Sequence, residues 1–370
     1  MKILIVGGGI AGLAMARALE LQGFSADLIE HRADASQGGT GLYLPGNAAR
    51  ALQALGLLDS IAAVAVPITT QRILDSTGKP LSVTQTANVW APCGPCLALP
   101  RAALHTALRD SLRDTNLRFG ISITGIGQLD AKCLATFSDG TTSEYDLVIG
   151  ADGINSYMRQ SLFPDVRPSY TGNVCWRFIT RDIVGVEGWT VMLGDGKSLL
   201  AIPIGDDQLY VYADMAMSEQ EAQRNLTDLP HRALLAAFSA PLSPLITHMP
   251  DHTQVHVGRI EQVVMDEWVK GHVVLIGDAA HASSPSMAEG AGMAMEDALV
   301  LAETLGAASN ISEALAEYTL RRKPRVDWVQ KQCAARDKMR GLPGWARIPM
   351  LKLAGNKLYK RSYTPLTEPI

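Results

Sequence analysis

The sequence predicts an α/β protein: a Rossmann-like nucleotide-binding domain, an inserted and mostly antiparallel β-sheet domain, and a helical C-terminal segment. Three observations carry this prediction. Lys2-Ile3-Leu4-Ile5-Val6 reads as a buried strand and runs directly into Gly7-Gly8-Gly9-Ile10-Ala11-Gly12. Residues 146–149 form a second apolar run, ending in Gly150-Ala151-Asp152-Gly153. Val273-Val274-Leu275-Ile276 forms a third, ending in Gly277-Asp278-Ala279-Ala280-His281. Each run brings a carboxylate or a glycine turn to the carboxyl edge of a parallel sheet, where open α/β folds bind ligands.

The first run opens a complete βαβ unit. Residues 13–21 carry a helical apolar pattern, and residues 26–29 read as a strand ending at Glu30, 18 residues beyond Gly12. Gly7 permits the tight turn, Gly9 lets the backbone approach a pyrophosphate, and Gly12 lets helix and strand pack closely. The helix N-terminus at Ile10 and Ala11 offers unpaired N–H groups to phosphate. Glu30, with His31 beside it, stands at the strand end to meet a ribose. This unit alone leaves NAD and FAD open. The second and third strand edges favour FAD, a long cofactor whose ribityl hydroxyls need acceptors far from the pyrophosphate, a role that suits Asp278.

The ordered set Gly7–Gly12, Asp152-Gly153 and Gly277–His281 resembles the single-component FAD-dependent aromatic hydroxylases, the para-hydroxybenzoate hydroxylase-like family. The segment 277–297 looks most like the salicylate, urate and hydroxynicotinate hydroxylases. Leu99-Pro100-Arg101-Ala102-Ala103-Leu104 resembles the family's arginine-bearing helix start, and the likeness covers about residues 1–330. The resemblance implies an FAD-binding domain of the glutathione-reductase type. It implies a flavin site of Gly7, Gly9, Ile10, Ala11, Gly12, Glu30, His31, Gly41, Arg101, Asp152, Gly153, Gly277, Asp278, Gly290, Ala291, Gly292 and Met293. It implies a monooxygenase that takes NAD(P)H and O2 and hydroxylates a small aromatic or heteroaromatic substrate through a flavin C4a-hydroperoxide. NADPH or NADH would bind transiently, in keeping with the absence of a second G-x-G-x-x-G turn. Pro285, by its match to the family loop, is expected beside the substrate. Ser283-Ser284-Pro285-Ser286-Met287 departs from the two prolines and more open, glycine-containing loop of many members.

Substrate-facing residues are sought on the inserted sheet. Period two puts Tyr210 and Tyr212 on one face, where either hydroxyl would bind or deprotonate a phenolic substrate, or simply pack in the sheet. Arg177, in Cys175-Trp176-Arg177, is a candidate for a carboxylate, carbonyl or cofactor contact. His281, three residues after Asp278, is expected to be structural. The helix beginning at Gly290–Met293 is expected to aim its N-terminus at the flavin N1/C2 carbonyl edge.

The expected organisation is discontinuous. Residues 1–68, 99–169 and 262–305 form the FAD-binding domain, 69–98 and 170–261 the substrate domain, and 306–370 a basic helical segment. Within these, Gly38-Gly39-Thr40-Gly41-Leu42-Tyr43-Leu44 reads as a glycine-rich loop along the flavin ring. Residues 69–98 read as a hairpin excursion with strands at 72–74 and 81–83, and 219–225 and 231–239 read as helices.

Composition bounds the remainder. The 370 residues are 47% hydrophobic and 19% charged, with a net charge of −4, which gives no case for nucleic-acid binding. A strand beginning at residue 2 and the lack of a long uncharged apolar run predict a cytoplasmic location. Charge is unevenly placed: between Arg321 and Arg361 stand 13 Lys/Arg and only Asp327 and Asp337. A solvated or site-capping helix explains this stretch more simply than a membrane-surface helix. Cys93 and Cys96 have redox spacing but lie in a proline-flanked loop, so a dithiol role is not favoured. His248, His252 and His256 share a spacing of four, interrupted by Pro250. Two other readings stand beside the hydroxylase: a flavin epoxidase or reductase for an isoprenoid or polyketide, and a non-enzymatic NAD-binding or redox-sensing module.

Overall fold

Ile3–Val6 is buried throughout and lies inside a six-stranded sheet, paired in parallel with Leu147–Gly150 on one side and Ala26–Glu30 on the other. The computed structural model describes residues 1–33, 40–129, 132–224, 236–250 and 254–370. Beyond Ala26–Glu30 lies Asn116–Phe119, and beyond Leu147–Gly150 lie Val273–Leu275 and the antiparallel edge Val269–Lys270. Ile3–Val6 and Leu147–Gly150 show no polar alternation because both sheet faces are covered. The helices Ile10–Leu21 and Gly290–Ala307 pack against each other over this sheet. The carboxyl ends of Ile3–Val6, Leu147–Gly150 and Val273–Leu275 therefore share one edge.

A second sheet has seven strands in the order His256–Gln262, Ser169–Arg181, Gln208–Ala216, Lys197–Gly205, Trp189–Gly194, Thr70–Asp75 and Pro80–Gln85. All its pairings are antiparallel except that of Trp189–Gly194 with Thr70–Asp75. Its two faces follow the period of two. Trp176, Phe178, Leu199, Val211 and Ala213 pack under Phe238, Leu242 and Leu245. The opposite face carries Cys175, Arg177, Tyr210, Tyr212 and Asp214, with Arg177 paired to Tyr212.

The helix expected at 219–225 is Glu219–Gln223, held by a reciprocal Ser218–Glu221 cap. Of the expected helix 231–239, residues 231–235 lie outside the described residues, and 236–239 are not helical. The glycine-rich stretch read as a loop is a strand from Gly41 to Leu44, paired with Leu97–Pro100; Gly38 and Gly39 lie outside the described residues. Pairing satisfies its backbone, and alternation buries Tyr43 against the core.

The basic segment forms two helices, Ile311–Arg340 and Gly344–Tyr363, running through Pro324 and Pro349 without a break. Arg322 is fully buried and bonds Glu296 at 2.7 Å and Asp297 at 2.8 Å, while Arg325 joins it on Glu296 at 2.7 Å. Arg321 bonds Glu303 at 3.0 Å. Part of the positive surplus is thus internal, matched by acids of the Gly290–Ala307 helix. Gly355 lets Gly344–Tyr363 press onto the Pro80–Gln85 strand, since a Cβ there would lie 2.5 Å from the Ser82 hydroxyl.

Candidate active site

Glycine is required twice in the first turn. A Cβ on Gly7, whose φ is +111°, would stand 2.5 Å from the Ala151 carbonyl oxygen, and one on Gly12 would stand 1.8 Å from that of Gly7. Gly9, in contrast, fronts open space. Glu30 is buried and accepts the N–H groups of Gly8 at 2.8 Å and Arg32 at 2.9 Å, with His31 Nδ1 2.9 Å from its Oε1. His105 Nε2 lies 2.8 Å from the Gly8 carbonyl and steadies the turn from the Arg101–Asp110 helix. The side chain of Ile10 is core, and Ala11 packs close to Gly277, where an added Cβ would lie 3.0 Å away.

The second and third edges meet this turn. Asp152 Oδ2 accepts the Met158 N–H at 3.0 Å, whereas its Oδ1 is buried with no partner among the described residues. Burial raises the Asp152 pKa against these hydrogen bonds. Gly153, at φ +77°, leaves open space beside it. Gly277, at φ +58°, turns the chain so that Asp278 is exposed, while its N–H donates to Asp297 at 2.9 Å. His281 Nε2 lies 2.6 Å from the same Asp297 oxygen. Burial raises the Asp297 pKa, but His281 and Arg322 outweigh it and bring it to about 2. His281 is thus tied to the buried ion network.

Arg101 begins its helix, and its backbone N–H donates to the Thr40 carbonyl at 2.9 Å. Surrounding protein lowers its pKa, Asp278 acts to raise it, and Arg177 lowers it further. Tyr210 interacts with both arginines, and its hydroxyl is pushed up to about 12 by burial, with Arg177 opposing. Gly41 seats Tyr210, since a Cβ on Gly41 would lie 2.3 Å from the tyrosine Cβ. Arg177 Nη2 bonds Cys175 Sγ at 3.5 Å, while its Nε is buried without a partner among the described residues. Arg101, Asp278, Arg177 and Tyr210 thus interact with one another, and Tyr210 is seated against Gly41 of the small three-stranded sheet.

Tyr212 is differently placed. Its hydroxyl donates to Asp214 Oδ2 at 2.8 Å, and burial with the neighbouring Asp214 holds its pKa well above the usual value. Asp214 also accepts from Ser198 at 2.6 Å and from Arg340 of the long helix. Arg340 continues to Asp337, which accepts from Ser286 in the Pro285 turn. Pro285 is exposed and opens the short turn Pro285–Met287, after which Ala288 takes a left-handed φ of +54°.

Glu289 follows, fully enclosed. It accepts from Asn47 Nδ2 at 2.9 Å, and its other oxygen has no partner among the described residues. Burial pushes its carboxyl up to about 8, the Asn47 bond opposing and Glu296 adding. Gly290 fronts open space, Ala291 is half-buried, and Gly292 leaves room for the Glu289 carboxyl, 2.9 Å from a Cβ placed there. Met293 points into the core, its carbonyl accepting from Arg322 at 3.1 Å.

Sequence reasoning did not single out Glu289, Asp214 or the Glu296-Asp297 pair. Asp214 had a signal, since it continues the period-two face of Tyr210 and Tyr212. Burial raises the thiol of Cys96 to about 11 and that of Cys93 in the same direction, the reverse of a poised redox thiol. His248 ends the short helix Ser243–Thr247, His256 begins a strand, and His252 lies outside the described residues.

The family model for an FAD binding domain matches residues 1–332. The chain is 31% identical to 2-heptyl-3-hydroxy-4(1H)-quinolone synthase of Pseudomonas aeruginosa, over 100% of this chain and 99% of that one. It is 31% identical to a 3-amino-4-hydroxybenzoate 2-monooxygenase of Streptomyces platensis, over 90% of this chain and 87% of that one. In fold it matches Klebsiella pneumoniae HpxO, solved with FAD and uric acid, with a TM-score of 0.89 at 24% identity, covering 100% of this chain and 97% of that one.

Proposed function

The chain belongs to the FAD-binding domain family and is an FAD-dependent monooxygenase, and we propose that it uses NAD(P)H and O2 to hydroxylate a small aromatic or heteroaromatic ring. The observation that carries this reading is the electrostatic interaction of Arg101, at its helix start, with Asp278 at the six-stranded sheet edge and with Arg177 and Tyr210 of the seven-stranded sheet. The residues fit FAD. Gly9 and Gly153 front open space, Asp152 Oδ1 is a buried acceptor without a partner among the described residues, and Asp278 is exposed to accept from a ribityl hydroxyl.

In this reading the backbone from Gly7 to Gly12 lines the pyrophosphate, and Glu30 with His31 meets the adenosine ribose. Asp152, Gly153, Gly277, Asp278 and Arg101 border the central part of the cofactor. Bound FAD supplies the reduction and activation of O2. The Gly290–Met293 helix start offers its N–H groups and positive dipole end to the ring, stabilising negative charge there. The Arg177 Nε–H, unpaired among the described residues, donates to a carbonyl or carboxylate of the substrate, and Tyr210 orients the ring. The Pro285 turn, tied through Ser286 to Asp337, shields the reacting face from water. The division into residues 1–68, 99–169 and 262–305 against 69–98 and 170–261 puts the substrate between these two units.

The quinolone relative directs the choice of ring. Beside Tyr212 the sheet face continues as half-buried Leu200 and Trp189, opposed by Met339 and Ile348 of the terminal helices. An apolar wall of this kind suits a nitrogen heteroaromatic carrying an alkyl chain. Both curated relatives carry names of compounds with an aromatic ring, which supports ring hydroxylation over the epoxidase or reductase reading.

The test is spectroscopic and then catalytic. The purified protein should show flavin absorbance, and Asp278→Ala should fold yet lose most of it. NADH and NADPH are each tried as anaerobic reductant. A panel of 2-alkyl-4(1H)-quinolones, aminohydroxybenzoates and purines is then screened for oxygen-dependent product. Colourless protein that cannot be reconstituted would refute the cofactor assignment, and full flavin in Asp278→Ala would refute that residue's role.

A further inference from the structure

We propose that the outer face of the Gly344–Tyr363 helix docks on an anionic lipid surface. This helix contains no Asp or Glu. Its inner face is committed, with Arg347, Leu351, Gly355 and Tyr359 buried. Its outer face leaves Trp345 81% and Leu353 84% exposed, the two most exposed large apolar side chains among the described residues. Their spacing of eight, with Pro349 midway, sets them on one side of the helix. Lys352, Lys357 and Lys360 are exposed on that same side.

The charges there are unspent. Arg347 reaches Asp195 at 3.5 Å from the buried face, whereas Lys352, Lys357 and Lys360 form no ion pair among the described residues. An exposed Trp and Leu flanked by lysines, with no acid along the helix, is the composition of a helix that lies in a bilayer interface. Charge complementarity selects the occupant. A second copy would set the same lysines against one another, while an anionic leaflet neutralises them. Among the described residues no helix is long and apolar enough to cross a membrane, so the contact is peripheral. The inner residues Ile348 and Leu351 pack with Val191 and Leu193 of the seven-stranded sheet, which puts the lipid contact one helix away from the proposed substrate face.

The experiment uses the full-length flavin-loaded protein with phosphatidylcholine vesicles, with and without phosphatidylglycerol. Co-sedimentation is expected only with the anionic vesicles, and is expected to be lost as salt rises from about 0.1 M to about 1 M. Each lysine at an anionic surface strengthens binding about fivefold, so Lys352→Glu/Lys357→Glu/Lys360→Glu should weaken it about 100-fold or more. Trp345→Ser/Leu353→Ser should weaken it about tenfold, and brominated lipid should quench less fluorescence in Trp345→Phe than in the parent. Flavin absorbance and turnover of a water-soluble substrate should be unchanged in all three, which separates lost docking from lost folding. Equal sedimentation of parent and lysine variant, or none by the parent, overturns the proposal. A dimer that Trp345→Ser/Leu353→Ser disperses, without vesicle binding, overturns it in favour of self-association.

Discussion

Arg322 Nη1 stands 2.7 Å from Glu296 Oε2, and neither side chain has any contact with solvent. The guanidinium also bonds Asp297 and the Met293 carbonyl, so one cation from the long helix closes over two carboxylates of the Gly290–Ala307 helix. Removing one member of a buried ion pair strands the charge that remains. Arg322→Met is therefore expected to cost about 3–5 kcal/mol, read as a lowered urea midpoint. Because Asp297 also holds the Gly277 N–H, the variant should lose flavin at denaturant concentrations where the parent keeps it. An unchanged midpoint would show that the network contributes nothing net.

Glu289 gives a dependence on pH of defined sign. Its carboxyl is raised to about 8 in the folded protein from an ordinary 4.5, so unfolding releases a proton between those values and stability falls as the pH rises through them. Glu289→Gln, the isostere of the neutral acid, keeps the Asn47 hydrogen bond and removes the titration. The variant should be more stable than the parent at pH 7 by on the order of 3 kcal/mol, with the gain vanishing towards pH 4.5. Thermal denaturation of both proteins across that range decides it, and parallel curves would rule out a neutral Glu289.

The prediction of Rossmann-like architecture rested on local features that physics makes specific: a buried strand, glycines with no room for a Cβ, and a helix at once. Gly7 and Gly12 illustrate this, each facing a carbonyl oxygen within 2.5 Å of an imagined Cβ. The period of two likewise puts Tyr210 and Tyr212 on one sheet face, and the strand pairing adds Arg177 to it. What the sequence did not disclose depends on partners remote along the chain. The basic stretch was visible, but not that Arg322 and Arg325 meet Glu296, or that Arg340 meets Asp214 from 126 residues away. Gly41 reads as loop in the sequence because it closes the run Gly38-Gly39-Thr40-Gly41 ahead of the apolar residues. Its pairing partner, Leu97–Pro100, lies more than fifty residues on and leaves no local trace.

The Cys93 and Cys96 thiols are held protonated by burial, Cys96 at about 11. Neither is then expected to react with a disulfide reagent at neutral pH while the protein is folded, and both should react on unfolding. Cys93→Ser and Cys96→Ala should each retain turnover within about twofold, since the thiolate is the reactive form and the fold suppresses it. Rapid labelling of the native protein with loss of activity would restore the dithiol reading.

Tyr210 and Tyr212 share a face but should separate in kinetics. The Tyr212 hydroxyl is already donated to Asp214, inside a network that ends at Ser286. Tyr212→Phe removes one of the partners of a buried carboxylate, so it should cost about 1–3 kcal/mol of stability and leave kcat/KM within a few fold. Tyr210 interacts electrostatically with Arg177 and Arg101, at the proposed substrate position. Tyr210→Phe should leave stability nearly unchanged and lower kcat/KM about tenfold or more, the loss expected when a positioned hydroxyl no longer meets the bound ring. Steady-state kinetics and thermal denaturation of the two variants together test this. The reverse pattern, with Tyr212→Phe inactive and Tyr210→Phe normal, would move the substrate along the sheet towards Asp214.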